Sequence, residues 1–166
     1  ENTIVWFLSD NGGVGNIDAN NHPLRGSKLT VYEGGIRVPA AVRWPASIPP
    51  GSVCRDVCCY IDILPTLIAA AVGSADQLCD KPLDGSDVMP LLTGTDNSEV
   101  KRMVSTRPWY SYHGQSGEAS EHLSVSVDGW KLKVNGPRLR ERRQLTDGGN
   151  DVELFHLSHD LLEKYD

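Results

Sequence analysis

The sequence predicts an α/β protein whose second part forms a small antiparallel sheet. Thr3–Leu8 is a continuous run of apolar, β-forming residues, typical of a strand that is buried on both faces in a parallel sheet. Tyr60–Val72 has the spacing of a helix. Beyond residue 100 the strand patterns alternate apolar and polar residues, which is typical of an antiparallel sheet.

Proline and glycine punctuate the elements of the first part. Val38–Trp44 predicts a second strand, and Pro39 within it indicates an edge or a bulge. In the predicted helix, Asp62 is the expected N-cap and Gly73 the expected end. A short helix is predicted over Ser86–Leu92.

Four strands are predicted in the second part. Met103–Thr106 is the first, and Val152–Leu157 is the last. His122–Val127 and Trp130–Val134 flank Asp128–Gly129, a dipeptide that strongly favours a two-residue hairpin turn.

Composition limits the classes of function. The chain has 166 residues, and 39% of them are hydrophobic, which is typical of a folded protein. The residue pattern changes near position 100, and we expect two domains, residues 1–99 and 100–166. A net charge of −6 argues against a nucleic-acid partner. The sequence contains no run of 18 apolar residues, so it predicts no membrane span. The chain opens on a strand with no signal peptide before it, so we expect a truncated piece of a longer protein.

The four cysteines are Cys54, Cys58, Cys59 and Cys79. Their spacing does not match a zinc site, because no pair is completed by a second pair or by spaced histidines. Disulfides and free buried thiols both remain open as interpretations.

Asp10 and Asn11 follow the first strand directly and offer hard oxygen donors, which suit calcium or magnesium. The glycines Gly12 and Gly13 allow the backbone to turn tightly and to approach a ligand. Taken alone, this motif is more typical of a β-turn than of a metal site.

Arg25 and Lys28 lie three residues apart beside glycines, a short distance behind that loop. Lysine supplies a point charge and arginine a planar fork, so the pair indicates an oxyanion site. The alternative is that the arginines of this region pair with carboxylates, and for Arg37 this structural interpretation is favoured.

The order of these motifs resembles the sulfatase family of the alkaline-phosphatase superfamily, nearest to arylsulfatases and N-acetylgalactosamine or glucosamine sulfatases. The matching motifs are Ser9–Gly13, Pro23–Lys28, Tyr32–Pro39, Asp62–Leu67, Leu83–Asp87 and Glu153–Asp160. The resemblance covers nearly the whole chain. It implies the C-terminal part of an alkaline-phosphatase-like catalytic sheet, followed by a small antiparallel C-terminal subdomain.

The resemblance also implies roles for individual residues. Asp10 and Asn11 match two ligands of the divalent metal, usually calcium, and Lys28 matches the lysine that binds the sulfate. Arg25 is expected to support this site indirectly, by contacting the residues that bind the sulfate rather than the sulfate itself. His22 is a candidate for a sugar-binding subsite, although an exposed loop histidine is the favoured interpretation.

The family's nucleophile, a formylglycine made from Cys or Ser in a C-x-P-S-R or S-x-P-S-R signature, has no counterpart in this sequence. The other metal carboxylates and the catalytic histidines of the family also precede this region. We therefore expect that the chain alone neither binds metal tightly nor hydrolyses sulfate esters. Its expected partners are the N-terminal sulfatase segment and a sulfated small molecule or glycan.

Two alternatives remain. A phosphodiesterase or phosphonate hydrolase of the same superfamily usually has histidine beside the metal aspartate, where Asn11 stands, which favours sulfate. A non-catalytic binding or structural protein derived from a sulfatase fits the absent nucleophile.

The family predicts a secreted, lysosomal or periplasmic location. The basic cluster Arg138–Arg143 suits a polyanionic glycan, but a solvated loop is the preferred interpretation.

Overall fold

The computed structural model describes residues 2–15, 20–74, 81–95, 108–113, 120–137 and 151–166. The chain divides into two compact units. The first consists of Glu1–Leu8 and Ala40–Thr106, and the second of Ser9–Pro39 and Arg107–Asp166. The predicted domain boundary between residues 99 and 100 stays a prediction.

Nine helices and strands lie in the described part of the chain. They are β1 (Val5–Leu8), α1 (Glu33–Ile36), β2 (Ala40–Arg43), α2 (Ile63–Val72), α3 (Met89–Leu92), β3 (Pro108–His113), β4 (Ser120–Val127), β5 (Trp130–Pro137) and β6 (Asp151–His156). The predicted second strand and second helix are present in shorter form. The predicted strand Met103–Thr106 lies outside the described residues. Of the helices just named, none has the length and hydropathy needed to cross a membrane.

The first unit contains a two-stranded sheet in which β1 pairs with β2 in antiparallel register, with Val5 opposite Arg43. Val5 is 51% exposed and Phe7 71% exposed. The expectation of a strand buried on both faces in a parallel sheet is therefore wrong for this structure. An apolar run specifies a strand but not its neighbours, and the described residues supply β1 with a single, antiparallel neighbour.

The predicted long helix is confirmed. It begins with a 3-10 turn, Tyr60–Asp62, continues as α2 and ends at Gly73, whose φ is 97°. The expected N-cap is wrong in its chemistry, because the Asp62 side chain makes no capping bond to α2. Its carboxylate instead accepts from the N–H groups of Cys59 and Ser86, each at 2.8 Å. Asp62 has helical backbone angles itself, so its carboxylate is directed to groups outside the helix.

The core of the first unit is small. Val88 and Leu91 are buried, with Trp6, Cys58 and Leu92 packed against them. Several large apolar side chains of this unit remain exposed: Val5, Phe7, Val53, Val57, Tyr60, Ile61, Leu64, Leu67 and Val72. This unit therefore presents much apolar surface around a limited core.

The cysteines in the described part of the chain are free thiols. Cys54 is exposed, and Cys58 and Cys59 are partly buried. Cys79 lies outside the described residues.

The second unit is built on a four-stranded antiparallel sheet in the order β3-β4-β5-β6. The predicted hairpin is confirmed, with Val127 opposite Trp130 across the turn. Asp128 has φ 49° and Gly129 φ 83°, the left-handed conformations that a tight hairpin turn requires. The antiparallel character predicted for the second part of the chain is therefore confirmed.

The faces of this sheet are not arranged as the alternation of residues suggests. The face that contacts the loops of the second unit carries polar buried side chains, among them Ser124, Lys131 and Lys133. The opposite face carries apolar side chains that are 37–49% exposed: Leu123, Val127, Trp130, Val152 and Leu154. The sequence predicted β4, β5 and β6 but not β3, and it did not indicate that ionic contacts would cover one face of the sheet.

Candidate functional site

The loop that follows β1 is held in place through its backbone. The Gly12 N–H donates to the Gly35 carbonyl oxygen at 2.8 Å. The Asn21 side chain accepts from the Gly13 N–H at 2.8 Å and donates to the Gly13 carbonyl oxygen at 2.9 Å. The position of this loop is therefore set by main-chain groups rather than by its two candidate metal ligands.

Lys28 approaches the same loop, because its N–H donates to the Gly13 carbonyl oxygen at 3.1 Å. The Lys28 side chain is exposed, the Asp10 side chain is exposed and Asn11 is half-buried. None of these three side chains forms a hydrogen bond or an ion pair with the residues that the structure describes. The fold thus joins the two backbone segments that carry the predicted residues and leaves their polar ends available.

Glycines allow these segments to touch. A Cβ added at Gly12 would overlap the carbonyl oxygen of Gly34, and one added at Gly34 would lie 2.5 Å from the carbonyl oxygen of Arg25. A Cβ at Gly35 would overlap the carbonyl oxygen of Thr30. Helix α1 is therefore packed backbone to backbone against both loops, and no other residue type fits there without displacement.

Arg25 is held by an ion pair, a hydrogen bond and a ring contact. Its Nη1 lies 3.1 Å from the Glu153 Oε1 and donates to the Glu163 carbonyl oxygen at 2.8 Å. Its Cζ lies 4.0 Å from the centre of the Tyr32 ring, a cation–π contact. Arg25 therefore joins the loop to β6 and the C-terminal residues, and its predicted support of an anion site stays a prediction.

His22 is exposed, and its N–H donates to the Asn20 Oδ1 at 2.8 Å. Its proposed sugar contact stays a prediction. The structural interpretation of Arg37 is confirmed, because its Nη1 lies 3.1 Å from the Glu33 Oε2. An open depression of about 330 Å³ lies beside these loops, lined by Asn20, Asn21, Leu24, Arg37, Val38 and Pro39.

A buried ion cluster that the sequence did not predict lies beneath α1. Lys131 is wholly buried, and its Nζ lies 2.9 Å from the Glu33 Oε1 and 2.8 Å from the Glu163 Oε1. The second oxygen of Glu163 accepts from the Glu33 N–H at 2.7 Å. The cluster therefore joins β5, the C-terminal residues and the first residue of α1.

A second ionic group lies beside it on the same face of the sheet. Lys133, which is 1% exposed, pairs with Glu153 across the two strands. The Tyr32 hydroxyl donates to the Glu153 Oε2 at 2.6 Å and accepts from the Lys133 Nζ at 2.7 Å. The only sequence signal for these contacts is the spacing of Lys131 and Lys133, which places both side chains on one face of β5.

The surroundings shift the pKa values of these groups. Burial raises the pKa of Glu163 despite the nearby Lys131 ammonium. Burial alone would also raise the pKa of Glu153, but hydrogen bonds from Lys133 and Tyr32 outweigh it and lower that pKa. Burial and the hydrogen bond to Glu153 raise the pKa of Tyr32. Tyr32 is therefore a neutral hydrogen-bonding group rather than a base.

Asp10 and Asn11 fit a divalent cation by the chemistry of their oxygens, which are the ligand type that calcium and magnesium prefer. Calcium takes six to eight oxygen ligands. In the part of the chain that the structure describes, no group of three or more His, Cys, Asp or Glu side chains is placed to hold a metal ion. The residues present therefore fit part of a cation site.

Comparison with known proteins identifies the family. Residues 26–158 match the family model described as N-sulphoglucosamine sulphohydrolase, C-terminal. This chain belongs to the sulfatase family. The match includes Lys28 and, in the ion cluster, Glu33 and Lys131, whereas Asp10, Asn11, Arg25 and Glu163 lie outside it. Two small antiparallel sheets with short helices are compatible with the C-terminal part of an α/β sulfatase.

Individual sulfatases show the same relationship. Arylsulfatase J of Mus musculus is 29% identical over 99% of this chain, and N-acetylgalactosamine-6-sulfatase of Canis lupus familiaris is 31% identical over 79% of it. Steryl-sulfatase of Rattus norvegicus is 40% identical over 56% of it. These alignments cover 32%, 25% and 17% of the three relatives. The chain thus spans a third or less of the length of these sulfatases.

Proposed function

We propose that this chain is the C-terminal portion of a sulfuric-ester hydrolase of the alkaline-phosphatase superfamily, in which Asp10 and Asn11 bind a divalent metal and Lys28 binds the sulfate. The observation that carries the proposal is the contact between Lys28 N–H and the Gly13 carbonyl oxygen. It joins the two candidate binding segments while their three side chains stay free of partners among the described residues.

Each side chain has a defined task in this proposal. The Lys28 ammonium donates hydrogen bonds to sulfate oxygens and offsets their negative charge, which orients the ester for attack. Asp10 and Asn11 would hold the divalent metal, for which calcium is proposed. When bound, the metal would polarise the sulfate as a Lewis acid. Arg25 keeps the Lys28 loop on the sheet through Glu153 and Tyr32. His22 is retained as a candidate for contact with a sugar.

The remainder of the site is proposed to come from an N-terminal sulfatase segment. That segment would supply the formylglycine nucleophile, because the C-x-P-S-R signature is absent from this sequence. The substrate would be a sulfated small molecule or a sulfated glycan. The chain by itself is proposed to be inactive, and the enzyme to be secreted, lysosomal or periplasmic.

One alternative of another class has an observation in its favour. A non-catalytic sulfatase-derived binding protein would need no nucleophile, and neither C-x-P-S-R nor S-x-P-S-R occurs among these 166 residues. The phosphodiesterase or phosphonate hydrolase alternative is disfavoured by Asn11, which stands where those enzymes usually have histidine.

The test uses a full-length protein that contains this chain. The substitution Lys28→Ala should lower kcat/KM for an aryl sulfate by about 10²–10³-fold, because it removes a positioned cation from the developing negative charge. Lys164→Ala, an exposed lysine of the same unit, is the matched control and should leave the rate unchanged. Activity on the matching aryl phosphate is measured in parallel.

The outcomes separate the alternatives. A preference for the aryl phosphate would favour the phosphodiesterase alternative. Equal rates for the Lys28→Ala and Lys164→Ala proteins would contradict the role of Lys28. Turnover of an aryl sulfate by the 166-residue chain alone would contradict the expectation that a partner segment is needed.

A further inference from the structure

The buried ion cluster beneath α1 is the feature of the second unit that the proposed function leaves unexplained. Lys131 is 0% exposed and pairs with two carboxylates, those of Glu33 and Glu163, at 2.9 and 2.8 Å. Glu163 is also 0% exposed. Arg37 contacts the second oxygen of Glu33 at 3.1 Å and is half-exposed.

Such a cluster is a poor device for stability alone. Removing charges from water is costly, and well-packed apolar residues often replace a buried ion pair without loss of stability. A cluster of this kind instead favours one arrangement of its side chains, because a buried charge that loses its partners is costly in free energy. Lys131 and Glu163 therefore restrict Glu33, the first residue of α1, to one position.

Helix α1 transmits this restriction to the two candidate binding segments. On its other side, the Gly34 N–H donates to the Arg25 carbonyl oxygen at 2.7 Å, three residues before Lys28. The Gly35 carbonyl oxygen accepts from the Gly12 N–H at 2.8 Å, next to Asn11. Both contacts are between backbones without space for a side chain, so displacement of α1 displaces both loops.

We propose that Lys131 and Glu163 are positioning residues for the sulfate-binding and metal-binding loops, acting through Glu33 and helix α1. They touch neither substrate nor metal. The proposal rests on the proposed function for its catalytic consequence. The anchoring of the loops by the cluster is a separate consequence, which the chain alone can test.

The first experiment measures anchoring by limited trypsin digestion of the folded chain. Glu163→Gln removes one of the two carboxylates and leaves one acceptor oxygen, so an NH2 group must face either the Glu33 N–H or the Lys131 ammonium. We expect cleavage after Lys28 to accelerate by about tenfold, because local opening of the loop becomes more frequent. Cleavage after Arg55, an exposed site in the other unit, is the internal reference, and Lys164→Met is the matched control.

A second variant guards against misfolding. The double substitution Lys131→Met with Glu163→Gln removes two members of the cluster and leaves Glu33 paired with Arg37, so no unpaired charge remains buried. It should show the same faster cleavage after Lys28, with circular dichroism close to that of the parent chain. Unchanged cleavage after Lys28 in both folded variants would overturn the anchoring role.

The second experiment measures the catalytic consequence in the full-length protein. Glu163→Gln should lower kcat/KM for an aryl sulfate by about 10- to 100-fold, because misplacement of a binding group by a fraction of an ångström is costly. The same substitution made in a Lys28→Ala background should have a smaller effect, since the part of the loss that comes from a misplaced Lys28 is already absent there.

Comparison of the two single variants with the double variant distinguishes the role of Lys28 from the positioning role of Glu163. If Lys28→Ala lowers activity but the two substitutions act independently, the positioning role is overturned and the role of Lys28 stands. If Lys28→Ala leaves activity unchanged, the proposed function and the positioning role both fail. A loss of activity from Glu163→Gln that is smaller in the Lys28→Ala background supports both.

Discussion

Arg25 and Lys28 lie three residues apart, yet their charged groups have opposite surroundings. Arg25 contacts Glu153 at 3.1 Å and the Tyr32 ring at 4.0 Å, so its charge is already paired. Lys28 is exposed and has no partner among the described residues. At the scale of the single residue, the available cation of the loop is therefore Lys28.

Cys58 offers a prediction at the same scale. Its side chain packs against the Val88–Leu91 core, and this burial, with the neighbouring Cys54 and Asp62, raises the pKa of the Cys58 thiol to about 12. Alkylation requires the thiolate, so iodoacetamide at pH 8 under reducing conditions should modify exposed Cys54 more than about tenfold faster than Cys58. Peptide mass spectrometry measures both rates.

The control for this experiment is the chain in urea, where both thiols are solvated and should react at similar rates. Equal rates for Cys54 and Cys58 in the folded chain would contradict the burial described for Cys58.

At the scale of elements, α1 is the piece that brings the two loops together. It is only four residues long, and its Gly34 and Gly35 let the chain come within backbone contact on two sides. The buried lysines of β5 hold it from below. A short helix that would be unstable by itself is thus stabilised by its tertiary contacts.

Gly12→Ala tests this close packing. The added Cβ would overlap the Gly34 carbonyl oxygen, so the backbones must separate, and the free energy of unfolding should fall by about 1–3 kcal/mol. Gly15→Ala is the matched control, because its nearest atoms, those of Ser27, lie 3.8 Å away in ordinary contact. It should change stability by less than about 0.5 kcal/mol.

Urea denaturation of the two variants and the parent chain gives both values. If Gly12→Ala and Gly15→Ala unfold at the same urea concentration, the two loops are not packed as described.

At the scale of the whole molecule, the proposed metal site is incomplete in this chain. The chain spans 32% of Arylsulfatase J, and the residues proposed to hold a metal are Asp10 and Asn11. Two oxygen-bearing side chains do not meet the six to eight ligands that calcium takes. The proposed metal site therefore needs ligands from outside these two units.

Calorimetric titration with calcium chloride tests this view. The chain alone should show no saturable binding with a Kd below about 1 mM, because most ligands would be water. A full-length protein that contains the chain should bind calcium more tightly and lose that affinity in the Asp10→Ala variant. Tight binding by the 166-residue chain that Asp10→Ala abolishes would contradict partial ligation.

Several features of this protein were determined by the sequence alone, because they depend on neighbouring residues. Positive φ at Asp128 and Gly129 makes the hairpin, and Gly73 ends α2 in the same left-handed region. The order of short motifs likewise indicated the sulfatase family, which the match over residues 26–158 confirms. The turn, the helix end and each single motif lie within a few adjacent positions, and the order of the motifs is read directly along the chain.

The tertiary structure alone decided how distant charges pair. Lys131 and Glu33 are 98 positions apart, and Glu33 and Glu163 are 130 apart. Alternation along β5 predicted a strand but not the partners of its lysines, and Lys131 is buried between two carboxylates from elsewhere in the chain. Local patterns report backbone preference and apolar spacing, whereas the pairing of charges depends on which residues the fold brings within about 3 Å.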